Sequence, residues 1–206
     1  MEKLLQGEDI RGLTFKQSIL TPTSLSKTDK SSLLEVDEDG FMLRYSDTQS
    51  ERYPNVASIR ANRPIPVGVS DFYFEMEILD MGVEGEMALG FCRGYSPHAI
   101  NTLPGWEYAS WGYHADSGKF YCFSSSLEIA ELEPYGVGDV VGCYITSRLE
   151  IGFTKNGTVL GVVDVCSTGI FYPVIGMKSR CACVRVNFGQ DKFRYDTLTW
   201  NSDDNK

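Results

Sequence analysis

Residues 103–120 read Leu-Pro-Gly-Trp-Glu-Tyr-Ala-Ser-Trp-Gly-Tyr-His-Ala-Asp-Ser-Gly-Lys-Phe, and their reading decides the fold. Pro104-Gly105 is a turn signal, because Pro presets φ at the first corner and Gly accepts the unusual φ of the second. Ala115, Asp116, Ser117 and Gly118 form a second turn of the same kind. Between the two turns Ser110, Gly112 and His114 alternate with Trp111, Tyr113 and Ala115, the pattern of a short strand with one aromatic face. Such a strand either plugs a core or builds a binding wall. Trp111 and Tyr113 read as core, since large aromatics dominate burial in sandwiches.

The flanking chain repeats this strand-and-turn rhythm. Leu33, Leu34 and Val36 lead into the turn Asp37-Glu-Asp-Gly40, and residues 41–45 return from it. Residues 56–63 form an extended run closed by Pro64-Ile65-Pro66. In residues 72–79, Phe72, Phe74, Met76 and Ile78 share one face, while Tyr73, Glu75, Glu77 and Leu79 share a wetter one. Further strands are expected at 87–91, 120–123, 140–145, 149–153, 158–162, 170–175 and 182–188. Asn156-Gly157 between two of them is a strong hairpin signal. About a dozen short strands, with turns every 8–12 residues, specify an all-β chain folded as an antiparallel two-sheet β-sandwich. Residues 1–30 lack the alternation: Leu4, Leu5, Ile10 and Leu13 suit a turn or two of helix or a segment draped over the domain.

With 206 residues the chain fits one domain with tails, and a net charge of −9 argues against nucleic acid and against an anionic membrane surface. Met1-Glu-Lys-Leu-Leu-Gln-Gly-Glu-Asp is too polar for a signal-peptide core, and no apolar run reaches membrane-spanning length. Six cysteines without such a signal read as reduced thiols of a cytoplasmic protein, which leaves the Asn156-Gly157-Thr158 sequon idle.

Several of these pieces, in this order, resemble the SPRY domain, most closely that of Ran-binding-protein-M-like proteins. They are Ala57-Ser-Ile-Arg-Ala-Asn-Arg-Pro-Ile-Pro66, Phe72-Tyr-Phe-Glu-Met-Glu-Ile78, Leu103-Pro-Gly-Trp106, Gly112-Tyr-His-Ala-Asp116, Gly138-Asp-Val-Val-Gly-Cys143, Phe153-Thr-Lys-Asn-Gly157, Phe171-Tyr-Pro-Val174 and Val186-Asn-Phe-Gly-Gln190. The resemblance divides the chain into an N-terminal extension (1–21), the SPRY domain (22–196) and a polar tail (197–206). It implies a concanavalin A-like jelly roll that binds a short peptide or loop of a partner protein through loops at one end, without catalysis and without a cofactor or metal. A monomeric adaptor is the expectation, with a substrate-receptor or scaffold role in a ubiquitin-ligase-type complex as its narrower form. Ran-binding-protein-M-like chains continue into helical LisH and CTLH segments, whereas this one ends at Lys206. In SOCS-box SPRY proteins a pocket tryptophan precedes the last long strand; the corresponding position here falls near Ser179, against a ligand of that type.

The expected partner-binding anchors are Asn62, Arg63, Pro64, Asn101, Leu103, Trp106 and Tyr108. Lys178 and Arg180 form a basic flank that points to an acidic partner segment. Arg60 suits either the rim or a buried hydrogen-bonded pair.

Other constellations read mostly as structure. Glu75 and Glu77, about 6.5–7 Å apart on one strand face, resemble the carboxylate pair of sandwich-fold glycosidases, with Asp80 nearby. A carbohydrate-binding or glycoside-hydrolysing domain is therefore the alternative; the plainer reading is a solvated face. Cys181 and Cys183 lack the second cysteine pair of a structural zinc site even with His114 as a third ligand, and read as buried thiols on one strand face. Cys122, Cys143 and Cys166 lack a context that would activate a thiol. His98 reads as a surface residue, and Gly136-Val-Gly138 as a turn.

Overall fold

The structure, a computed structural model, describes residues 21–46, 54–67, 71–94, 100–122, 127–164 and 168–196. The expected helical or draped segment at 1–20, the tail 197–206, His98 and Cys166 lie outside the described residues.

Among the described residues, fourteen strands form two seven-stranded antiparallel sheets. Sheet A runs β1 (Leu25–Lys30), β4 (Ala57–Ala61), β13 (Phe171–Lys178), β6 (Glu86–Arg93), β7 (Ser110–His114), β8 (Lys119–Cys122), β9 (Leu127–Glu131). Sheet B runs β12 (Thr158–Asp164), β11 (Glu150–Lys155), β10 (Val140–Ile145), β5 (Phe72–Asp80), β14 (Cys183–Asn187), β3 (Met42–Tyr45), β2 (Leu34–Val36). The all-β sandwich expected from alternation is the fold observed.

Alternation also fixes what each sheet buries, since a strand sends successive side chains to opposite faces. In sheet A the register aligns Ile59, Ile175, Leu89, Tyr113 and Phe120 in one inward row. Phe74, Met76 and Ile78 of β5 face them from sheet B, with Val141, Cys143, Ile151 and Phe153 beside them. Tyr113 packs 5.4 Å from Phe153, and Phe74 lies 5.7 Å from Phe91, so aromatic pairs bridge the two sheets. Trp111 and Tyr113 belong to this core, as their strand pattern indicated.

The turns close by specific bonds. Asp37 Oδ1 accepts from the backbone N–H groups of Gly40, Phe41 and Met42 at 2.8–3.0 Å. Slight burial pushes this carboxyl up, but those donors outweigh it and hold its pKa below the usual value. At the β11–β12 hairpin Asn156 and Gly157 both take positive φ, 52° and 86°, as a type I′ turn requires. The Asn156 amide accepts from Val140 N and donates to Asp139, so the sequon asparagine is committed to the fold. Gly136 and Gly138 form the turn into β10.

The structure corrects four expectations. The chain enters sheet A as β1 at Leu25, inside the stretch read as lacking strand pattern, and β9 stands where a loop was expected after Ser124. Cys181 is not on a strand face: it is exposed at φ 67° in the turn before β14, while Cys183 is buried. The face of β5 expected to be wet is covered, as described below.

Candidate partner-binding surface

The outer face of sheet A is a floor of small residues. Register places Ser58, Gly176, Ala88 and His114 in one outward row, and Arg60, Val174, Gly90, Gly112 and Tyr121 in the next. On this floor lies the loop 100–109. Ser58 N donates to Ile100 O at 2.8 Å, and its hydroxyl donates to Thr102 O. His114 Nε2 donates to Pro104 O at 2.8 Å; a carbonyl can only accept, so Nε2 carries the proton. Ser110 Oγ accepts from Gly105 N at 2.9 Å and donates to Glu107 O at 2.7 Å. A Cβ on Gly112 would collide with the Pro104 carbonyl, and one on Gly176 would press on Leu103 and Pro104. The glycines are therefore the seats that let the loop sit flat against the sheet.

Clamped from below, the loop sorts its own residues. Leu103 is 1 % exposed, so this expected anchor packs inward and offers nothing to a partner. Above it Asn101 is exposed, Trp106 is 42 % exposed and Tyr108 69 %. The Trp106 ring sits 5.4 Å from His114, which meets Tyr121 edge-on at 4.6 Å. Burial lowers the His114 pKa, partly offset by its bond to Pro104 and by Asp116 and Glu86.

The remaining expected anchors divide between the two ends of the sheet. Arg63 is exposed beyond the end of β4, without an ion pair among the described residues. It stands at the end where Ile65 N donates to Phe171 O and Arg93 N to Ala109 O, the end nearer Tyr108. Pro64 beside it is half-buried. Asn62, though exposed, exchanges hydrogen bonds with Thr23 and donates its N–H to Ser24 O, tying down the entry to β1. Arg60 is buried, 3.4 Å from Asp29 and stacked 5.3 Å over the Tyr172 ring, the structural role of the two considered.

Lys178 and Arg180 lie at the far end and are already paired. Lys178 Nζ is 2.9 Å from Glu86, and Arg180 holds Glu84 through its guanidinium and backbone N–H. Partial burial raises the Glu84 carboxyl, but Arg180 outweighs it and keeps the pKa below the usual value. An open basic flank is absent at these two positions because their charge is spent inside the domain. Ser179 between them is 0 % exposed; its hydroxyl accepts from Glu84 N and Gly85 N and donates to Met81 O.

The carboxylate pair on β5 is divided by burial. Glu75 is 4 % exposed and accepts from Tyr73 OH, Asn187 Nδ2 and Arg194 N, all at 3.0–3.1 Å. It serves as the anchor of residues 188–196, a strap across the outer face of sheet B, where Phe193 and Tyr195 lie 4.9 and 5.5 Å from Tyr73. Glu77 alone is half-exposed. Two carboxylates free to flank a glycosidic bond are thus lacking here, and the solvated-face reading also fails for Glu75. His114 is likewise committed to Pro104, and no group of three or more His, Cys, Asp or Glu able to hold a metal ion stands among the described residues.

Sequence reading missed Ser58, Ser110 and His114 as the clamps of the loop. Their signal was present for two of them, as the polar half of the alternation in β7; Ser58 carries none.

A two-sheet antiparallel β-sandwich of this architecture is the fold of the SPRY domains. The chain belongs to the SPRY domain family, whose model matches residues 71–191, and SPRY is a protein-interaction fold. It is 34% identical to Ran-binding protein 10 of Danio rerio over 88% of this chain and 30% of that protein. It is 33% identical to Ran-binding protein 9 of Homo sapiens over 88% of this chain and 24% of that one. Ran-binding protein M homolog of Arabidopsis thaliana is 33% identical over 85% and 37%. The chain therefore spans only about a third or less of the length of these curated relatives. Among solved structures, a human SPRY domain superposes with TM-score 0.66 at 29% identity, covering 78% of this chain and 98% of that one. The SPRY domain of human HERC1, at 17% identity, shares the fold with TM-score 0.64 over 82% of this chain and 100% of that one. No helix among the described residues is long and apolar enough to cross a membrane.

Proposed function

We propose that the domain is a non-enzymatic, cytoplasmic adaptor that binds a short segment or surface loop of a partner protein through the outer face of sheet A. The observation that carries this reading is the exposure of Trp106 and Tyr108 on a loop whose backbone is fixed from beneath by Ser58, Ser110 and His114. Large aromatics supply most of the energy in protein interfaces, and a loop already ordered avoids the entropy cost of fixing it on binding. Asn101 lies on the same loop, and Arg63 extends the surface at the end nearer Tyr108. Asn62 and Pro64 shape the border, and Leu103 acts only from within. The five described cysteines stand as free thiols, which suits a reducing compartment. A substrate-receptor or scaffold role in a ubiquitin-ligase-type complex is the narrower form of the same reading, and it rests on the family.

The test is affinity capture from a native cytosolic extract with the intact chain and with Trp106→Ala/Tyr108→Ala. Both side chains are exposed, so the variant keeps its melting temperature. It is expected to lose the partners that the parent retains. Retention of every partner by the folded variant would remove the loop from the binding surface.

A further inference from the structure

The outer face of sheet B carries a groove of about 460 Å³ between the strap and strands β5 and β14. Its floor is closed to ligands. Both Glu75 oxygens are taken by Tyr73, Asn187 and Arg194, and the Asn187 amide donates to Glu75 and to Asp191 O while accepting from Gly189 N and Asp191 N. Recognition therefore falls to the charged arms around the rim.

Along the strap exposure alternates. Phe193 and Tyr195 turn inward onto Tyr73, and Lys192 and Arg194 point out. Neither Lys192 nor Arg194 makes an ion pair among the described residues. Arg185, across the groove, reaches Glu77 only at 3.9 Å, with both side chains largely in solvent. Four cations elsewhere are paired within the domain: Arg60 with Asp29, Lys155 with Glu133 and Asp139, Lys178 with Glu86, Arg180 with Glu84. Lys192, Arg194 and Arg185 thus bring three exposed cations around one groove in a chain of net charge −9.

We infer that this groove docks an acidic segment of a partner protein, whose carboxylates meet Lys192, Arg194 and Arg185. Three exposed cations around one groove favour carboxylates over neutral side chains in the occupant. Glu77 and Asp191 on the same rim disfavour a uniform polyanion, as does the charge of the whole domain. The site lies on the opposite sheet from the Trp106–Tyr108 loop and does not depend on that surface binding anything.

The experiment is fluorescence anisotropy of the intact chain with a labelled Gly-Glu-Ala-Glu-Ala-Glu-Gly peptide, its Gln counterpart and a single-stranded oligonucleotide. The Glu peptide is expected to bind saturably, more weakly as salt rises, and the Gln peptide not at all. Lys192→Gln/Arg194→Gln, with both side chains exposed and the melting temperature unchanged, is expected to weaken binding at least about tenfold. The proposal is overturned if the Glu peptide does not bind at low salt, binds the double variant equally, or is matched by the Gln peptide or the oligonucleotide.

Discussion

Ser179 shows how one position can change its role within a fold. The family resemblance aligns it with a pocket tryptophan, yet here it is buried and holds the β5–β6 turn against the β13–β14 turn through three hydrogen bonds. Truncation would leave two buried backbone donors and a carbonyl without their partner, and each such loss is costly because water cannot replace it. Ser179→Ala is expected to destabilise the domain by about 1–3 kcal/mol, read from urea midpoints. A midpoint unchanged from the parent would show that water enters the turn. His114 has a different leverage. Burial lowers its pKa, so below the ordinary histidine value the unfolded chain takes up a proton that the folded one resists. Its contribution is complete above that value and declines as pH falls below it. The melting temperature should therefore drop between pH 7.5 and pH 5.5, and His114→Gln should flatten that drop. An equally steep drop in the variant would assign it to carboxylates instead.

At the level of elements, strands with an inner and an outer face were legible because alternation is their physical cause. β5, β7 and β14 announce themselves by Phe, Met, Trp, Tyr and Val at every second position, and β10 by an apolar run that reads as buried on both faces. β1 did not, because Leu-Ser-Lys-Thr-Asp-Lys lies at an edge of sheet A and buries only its first two residues fully; β9, Leu-Glu-Ile-Ala-Glu, stands at the opposite edge. The aromatic half of the binding loop could be read from Trp106 and Tyr108. The inward turn of Leu103 could not, since nothing local says that Gly112 and Gly176, far apart in sequence, make room beneath it. The neutralised Lys178 and Arg180 were hidden for the same reason: Glu84 and Glu86 are more than ninety positions away. The strap is the clearest case. An acidic residue on an alternating strand reads as wet, and only the return of residues 188–196 makes Glu75 a buried anchor. Glu75→Gln would replace one acceptor oxygen with an N–H₂ beside the Asn187 and Arg194 N–H donors, with only the Tyr73 hydroxyl able to accept from it. It is expected to cost about 1–3 kcal/mol and to loosen the strap, so that trypsin cuts after Lys192 and Arg194 faster than in the parent. Equal cleavage rates would mean that the aromatic contacts to Tyr73 hold the strap without the carboxylate.

Seen whole, the molecule is a core closed by two sheets, each with an irregular segment laid across its outer face: the 100–109 loop on sheet A and the 188–196 strap on sheet B. The inward rows of Ile59, Ile175 and Leu89 facing Phe74 and Met76 separate the two segments, and packed sheets stand about 10 Å apart. Neither segment shares a hydrogen-bond partner with the other: the loop is held by Ser58, Ser110 and His114, the strap by Glu75 and Asn187. Changes at sites this far apart, without a common partner, add in free energy to within about 0.5 kcal/mol. Glu75→Gln should therefore lower stability while partner capture through the loop persists, and Trp106→Ala/Tyr108→Ala should abolish capture while stability persists. Their combination should show the two losses summed, in denaturation midpoint and in capture alike. Coupling beyond that margin would mean that the sandwich core transmits strain from one outer face to the other, and the two surfaces would then have to be treated as one.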